Sequence, residues 1–325
     1  MSRVGLLAAL LLLLVVVQAE PGGQSPREEP AARASVVLPV LPPATEASPY
    51  AGVGTWLSRY RFTREFGGTA PPVTPADVEA MADAGVSTLY LQPAADDPRY
   101  PGLLSTDLLG AFLERAHADG MRVVAWYLPH FDDVTADLRR LRQIGEFRAG
   151  GRGFDAVAVD IEYTDAVALA PRNAALIDLS RRLRAALPDV ELGAIVLPPV
   201  VTDVLNTAYW PDFPWRQLRD LYDVWLPMAY WSNRSDAEFA DPYRYVGENI
   251  ARVRRHLHDA CAVVSVIGGY DEQETADDYR AMARAATEQH AIGVSVWDWR
   301  TTPPSAWPAL RGYGSGVGPG GPPCT

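Results

Sequence analysis

The stretch Phe154–Tyr163, "FDAVAVDIEY", decides the reading of the whole chain. Its Ala-Val alternation has the period of two that belongs to a β-strand. Ala156, Ala158, Asp160 and Glu162 therefore share one face, and Val157, Val159 and Ile161 the other. In a (β/α)8 barrel, branched residues of this kind face the helices. The small residues then face the lumen and leave room for packing layers from other strands. The two acids come last, at the C-terminal end of the strand, where barrel active sites are built.

Working outward, short apolar runs alternate with helical patterns on both sides. The other candidate strands are "GVGTW", "STLYLQ", "RVVAWYL", "ELGAIVLP", "DVWLPMAYW", "AVVSVIGG" and "GVSVWDW". Amphipathic segments lie between them, such as "TPADVEAMADAG" with Thr74 as N-cap, Pro75 at N1 and Gly85 as the stop. Eight strands with intervening helices predict a single-domain α/β fold, the (β/α)8 TIM barrel. The connection "VTDVLNTAYWPDFPWRQLRD" after the fifth strand is irregular and Trp-rich, so a short or broken helix is expected there. A doubly wound open sheet is the alternative, weakened because no Gly-rich phosphate loop follows the first strand.

Two carboxylates two residues apart on one strand face have Cβ atoms about 6.5–7 Å apart. Each then disfavours ionisation of the other, and an apolar pocket acts in the same direction. A Glu that keeps its proton near neutral pH is what a general acid at a glycosidic oxygen requires. The bland reading is that the acids bind a cation or pair with a rim arginine such as Arg300. Aromatics recur at the same ends: Tyr90 with Gln92, Trp126, Met228 with Tyr230, then Trp231, and Trp297 with Trp299. Rings with a few amides and acids make a common lining for sugar, although any one of them can equally be core. Asp271 and Asp298 are further candidate carboxylates, either of which could form a retaining or inverting pair with Glu162.

Together these stretches resemble the chitinase-like (β/α)8 glycoside hydrolases. That family's fourth strand ends in D-x-D-x-E, introduced by Phe-Asp and followed by Tyr. Here stand Phe154 and Asp155, Ala158 in the place of the middle aspartate, then Asp160, Glu162 and Tyr163. The family's Met-x-Tyr-Asp on strand six is similar to Met228, Ala229 and Tyr230, with Trp231 in the last place. Trp297 is similar to the tryptophan that ends its strand eight. The resemblance implies that Glu162 is the general acid and that Asp160 orients an N-acetyl group whose oxygen attacks the anomeric carbon. Tyr230 would then steady the intermediate. Ala158 lacks the supporting charge below Asp160, and Trp231 replaces a polar partner of the acetamido group, so a strict N-acetylglucosamine preference is not implied.

Other chemistries fare worse. His256 and His258 fall in the helical stretch "RVRRHLHDA" and suit a solvated face or a helix end. His130 beside Asp132 and Asp133 offers a metal or substrate group, although an Asp pair capping the next helix suits the pattern better. No Gly-x-Ser-x-Gly elbow is present, and no cofactor or metal is expected. Cys261 reads as a buried small hydrophobe. Its pairing with Cys324 is open.

The chain has 325 residues and a formal charge of −11, with no basic run, which argues against nucleic acid as a partner. Residues 1–19, with Arg3, an apolar run and "VQA", read as a cleavable export signal, an uncleaved anchor being the alternative. Residues 20–50 read as a Pro-rich linker, 51–312 as the barrel and 313–325 as a Gly/Pro tail. The expectation is a secreted, monomeric glycosidase acting on a polysaccharide or oligosaccharide, with no membrane contact after signal cleavage. A non-catalytic carbohydrate-binding barrel is its competitor.

Overall fold

The computed structural model describes residues 48–311 and Tyr313, apart from Ala166, Asn233 and Ala237. The expected export signal, all but the last three residues of the linker, the tail beyond Tyr313 and Cys324 lie outside the described residues. Among the described residues no helix is long and apolar enough to cross a membrane.

Eight parallel strands form the centre: β1 (Gly52–Leu57), β2 (Thr88–Leu91), β3 (Arg122–Tyr127), β4 (Ala156–Ile161), β5 (Leu192–Val196), β6 (Val224–Pro227), β7 (Ser265–Gly268) and β8 (Gly293–Val296). Each pairs with its neighbours in sequence, and β1 pairs with β8. Parallel bridges Trp225 to Val264 and Met228 to Ile267 join β6 to β7 and complete the ring. This is the expected (β/α)8 barrel. Every candidate run holds one strand, because each is a short, β-branched stretch flanked by turn residues.

The outer layer comprises α1 (Arg59–Phe62), α2 (Arg64–Gly67), α3 (Val78–Asp83), α4 (Thr106–Ala118), α5 (Val134–Glu146), α6 (Leu169–Ala186), α7 (Trp215–Leu218), α8 (Pro242–Leu257), α9 (Ala276–Glu288) and α10 (Ala306–Leu310). Caps fix several of their starts. Asp133 accepts from the amides of Thr135 and Ala136 at 3.0 Å, and Thr275 with Asp278 forms a capping box. After β5 the chain makes a π-helical turn, Val201–Leu205, before the one-turn α7, so the expected irregular connection is present.

The N-terminal end of the lumen is sealed by Tyr50, beside the expected barrel boundary at 51. Its hydroxyl donates to the Val157 carbonyl at 2.8 Å, and its own carbonyl accepts from Ser265 Oγ at 3.0 Å. Glycine makes the space: a Cβ at Gly193 would lie 2.7 Å from the Tyr50 hydroxyl, and one at Gly293 would strike the Tyr50 carbonyl.

Cys261 is exposed, not buried as expected, because it sits in the turn before β7, where Asp259 accepts from its amide at 2.8 Å. His258 is an exposed left-handed cap of α8. His256, in the last turn of α8, stands at the helix end and is half-buried. It stacks on Trp215 at 5.0 Å and holds Asp203 at 2.9 Å.

Candidate active site

The register fixes which face of β4 looks inward. Ala158 lies opposite Gly193, whose missing Cβ faces the Tyr50 ring in the lumen, and Asp160 lies opposite Ile195. Ala158 and Asp160 therefore point into the barrel, and Glu162 follows just beyond the strand end. Asp155, which opens the motif, does something different. It accepts from the Val123 amide at 2.7 Å and meets His117 at 2.9 Å, tying β4 to β3 and α4 at the opposite end.

Asp160 is 6% exposed, and its Oδ1 is buried without a hydrogen-bond partner. Such an atom is costly unless something occupies the space in front of it. Burial raises the Asp160 carboxyl well above the ordinary range, and the charge of Glu162 raises it further. Burial raises Glu162 as well, although its side chain keeps partial access to solvent. The two titrate as a unit that retains a proton to higher pH than either acid alone.

Met228 and Tyr230 continue the inward face of β6, since Leu226 pairs with Ile195. Burial, followed by the charges of Glu162 and Asp160, raises the Tyr230 hydroxyl well above its usual value, so it stays a donor beside the acids. Tyr270 packs on it at 5.5 Å. The Tyr270 amide donates to buried Glu274 at 3.2 Å, and Glu274 also accepts from the Tyr279 hydroxyl at 2.6 Å.

Four rings meet in the lumen. Trp56 stacks on Tyr90 at 4.0 Å and lies 5.9 Å from Trp126 and 6.2 Å from Trp297, while Trp126 and Trp297 are 5.7 Å apart. Tyr90 lies beneath Trp56 and is fully buried, so it is packing. Trp297 is half-buried at the rim, and its peptide to Asp298 is cis. The indole nitrogens of Trp56 and Trp126 are buried without partners.

Other candidates lie elsewhere. Trp231 packs behind β7, where a Cβ at Gly268 would lie 2.5 Å from its ring, and against Tyr279 at 5.8 Å. Gln92 is buried, with its Oε1 held by the Arg59 amide at 3.0 Å. Asp298 is occupied by Arg61 at 2.8 Å and by the amides of Arg300 and Thr301. Asp271 caps a turn through the Gln273 amide at 2.9 Å. Arg300 meets Asp298 through its backbone amide.

Sequence reasoning missed a rim network. His130 Nδ1 meets Asp96 at 2.7 Å, and Arg140 meets the other oxygen of Asp96 at 2.8 Å. The His130 ring stacks on Tyr163 at 3.8 Å. The pairing of Asp96 with Arg140 crosses two loops and leaves no local signal. Trp56 was also missed, although its strand was read. Among the described residues no group of three or more His, Cys, Asp or Glu is placed to hold a metal ion.

No protein-family model matches the chain, and no curated protein matches it by sequence. Solved structures do match by fold. An endo-β-1,4-mannanase from Thermotoga petrophila superposes with a TM-score of 0.59 at 11% identity, over 82% of this chain and 77% of that one. The Bacillus cereus spore cortex-lytic enzyme SleL gives 0.59 at 12%, over 80% and 73%. A class V chitinase from Pseudomonas fluorescens Pf-5 gives 0.56 at 10%, over 80% and 98%. At these identities what is shared is the (β/α)8 barrel.

Proposed function

We propose that the protein is an exported glycoside hydrolase acting on a polysaccharide or cell-wall glycan, with Glu162 as general acid. The observation that carries this reading is the inward carboxylate pair at the C-terminal mouth, in which Asp160 Oδ1 is buried and unpartnered and Glu162 keeps solvent access. The shared architecture with the mannanase, the cortex-lytic enzyme and the chitinase supports it as analogy.

In the proposed reaction Glu162 gives its proton to the glycosidic oxygen as the bond from that oxygen to the anomeric carbon breaks. The carbonyl oxygen of the sugar's own 2-acylamino substituent, held by Asp160 and the Tyr230 hydroxyl, bonds to the carbon as the leaving group departs. Water then attacks the anomeric carbon, the bond to the acyl oxygen breaks to regenerate the substituent, and the proton of the water goes to the Glu162 carboxylate. This substrate-assisted route is favoured over a two-carboxylate mechanism because Asp298 and Asp271 are engaged by Arg61 and by backbone amides. A retaining or inverting pair needs carboxyls on opposite sides of the bond, whereas Asp160 and Glu162 leave the same strand face.

The test is Glu162→Gln, assayed for reducing ends on fungal and bacterial wall glycans. Cleavage should fall by roughly 10²–10⁴ while glycan binding persists. Equal binding by both proteins with no cleavage by either would instead support a carbohydrate-binding barrel. The absence of any carboxylate below Asp160, where Ala158 stands, favours that second reading.

A further inference from the structure

We infer that the barrel mouth is a cleft open at both ends that holds a polysaccharide chain across the acid pair for internal cutting, with Tyr209 and Tyr60 as its two platforms. The inference rests on the glycosidase reading above and adds endo action to it.

The large apolar side chains left exposed among the described residues are Tyr60 at 42%, Val204 at 48%, Leu205 at 38% and Tyr209 at 39%. They fall in two connections, Tyr60 in α1 directly after β1 and the other three in the segment after β5, both leaving the C-terminal ends of their strands. In the cyclic strand order, β1 and β5 are four strands apart in either direction, so the two connections face each other across the mouth. β4, with Asp160 and Glu162, adjoins β5.

The Tyr60 ring is held by its neighbours, and the segment that bears Tyr209 is anchored. Next to Tyr209, Trp210 is buried. Its Nε1 donates to Asn173 at 2.7 Å, and its ring lies 4.2 Å from the Arg172 guanidinium. Arg172 in turn donates to the carbonyl of Thr164, two residues beyond Glu162, at 2.7 Å. The loop bearing Tyr209 is thus clamped to the segment bearing the acid. Consistent with this, the charge of Glu162 is felt at the Tyr209 hydroxyl, which burial and that charge raise. On the far side Arg59 lies 4.9 Å from the rings of both Tyr60 and Phe66, and it donates to the Tyr60 hydroxyl at 3.2 Å.

A ring exposed to water on an anchored segment is a poor core residue but a good surface for the C–H face of a sugar. A pocket that accepts only a chain end needs a wall on one side, and such a wall would cover one of these rings. Both are open, so a chain can pass over Tyr209, across the acids and over Tyr60.

The experiment uses the full chain and β-1,4-linked N-acetylglucosamine and mannose oligomers from disaccharide to hexasaccharide. Binding to the Glu162→Gln protein should strengthen with chain length. Adding Tyr60→Ala or Tyr209→Ala should each weaken hexasaccharide binding about five- to tenfold, with recovery in the Trp variants. Wild-type digestion of a soluble polymer should lower viscosity before reducing ends accumulate. Affinity that stops rising at the disaccharide, indifference to either tyrosine, or no binding at any length would overturn the cleft. Glu162-dependent release of single sugars from the start would overturn internal cutting and leave the hydrolase intact. Length-dependent binding that needs both tyrosines, without cleavage of any glycan, would remove the hydrolase and with it the cutting.

Discussion

At the scale of single residues, the proposed chemistry rests on two acids that the fold makes reluctant to ionise. A carboxyl whose pKa is raised on folding binds more protons in the native than in the unfolded state. Its contribution to stability is therefore complete below the ordinary carboxylate range and is lost as pH rises toward the raised value. Burial drives that shift at both Asp160 and Glu162. The melting temperature of the wild type should thus fall with rising pH above the ordinary carboxylate range, and Asp160→Asn should flatten that fall. Parallel wild-type and variant profiles in calorimetry would show that Asp160 ionises freely. Tyr230 tests the same site by other means. Tyr230→Phe keeps the ring that packs on Tyr270 and removes only the donor, so kcat should drop roughly tenfold or more with little change in melting temperature.

At the scale of elements, the loops at the catalytic end are fastened to the outer helices by polar side chains. α5 illustrates the physics. The Tyr127 hydroxyl donates to Asp137 at 2.6 Å, and Arg140 reaches the Tyr127 hydroxyl at 3.1 Å and Asp96 at 2.8 Å. Burial lifts Asp137 to about 6 in spite of the hydrogen bond from Tyr127, so desolvation wins over pairing there. Asp96, half-buried, is pulled down by His130 and Arg140. Arg140→Met removes the cation from two acids at once, and unfolding free energy by urea titration should fall by about 3–5 kcal/mol. A loss below about 1 kcal/mol, the level of an exposed pair, would mean that water already screens the network. None of this was legible from periodicity, because Asp96 comes from the preceding β–α unit and the Tyr127–Asp137–Arg140 contacts span the loop between β3 and α5. The helix starts were legible, since caps such as Asp133 and Thr275 act within three residues of their own position.

At the scale of the whole molecule, the barrel carries its seal at one end and its acid pair at the other. Tyr50 plugs the N-terminal end, fully buried over Gly193 and Gly293. Tyr50→Ala should lower unfolding free energy by about 3–5 kcal/mol, as for other large-to-small changes in a core. Tyr50→Phe should cost about 1 kcal/mol for the lost bond to Val157. Equal losses for the two variants would mean that the hydroxyl, not the volume, does the sealing. The reading of residues 20–50 as linker rested on their Pro-rich, aperiodic composition. Composition does not register that a single ring just before β1 fills the base of the lumen.

Alternation along one strand was enough to orient Asp160 and Glu162, because side chains on a strand must alternate faces and a closed sheet turns one face into a lumen. The same local rule located all eight strands. It could not tell that Tyr90 lies beneath Trp56, that Trp231 turns behind β7, or that Asp298 is consumed by Arg61. Those outcomes depend on contacts between residues as much as 237 positions apart. Pairing of β1 with β8 brings Arg61 to Asp298, and the bridging of β6 to β7 sets Trp231 behind Gly268, so the tertiary structure alone decided which rings and acids a ligand can reach.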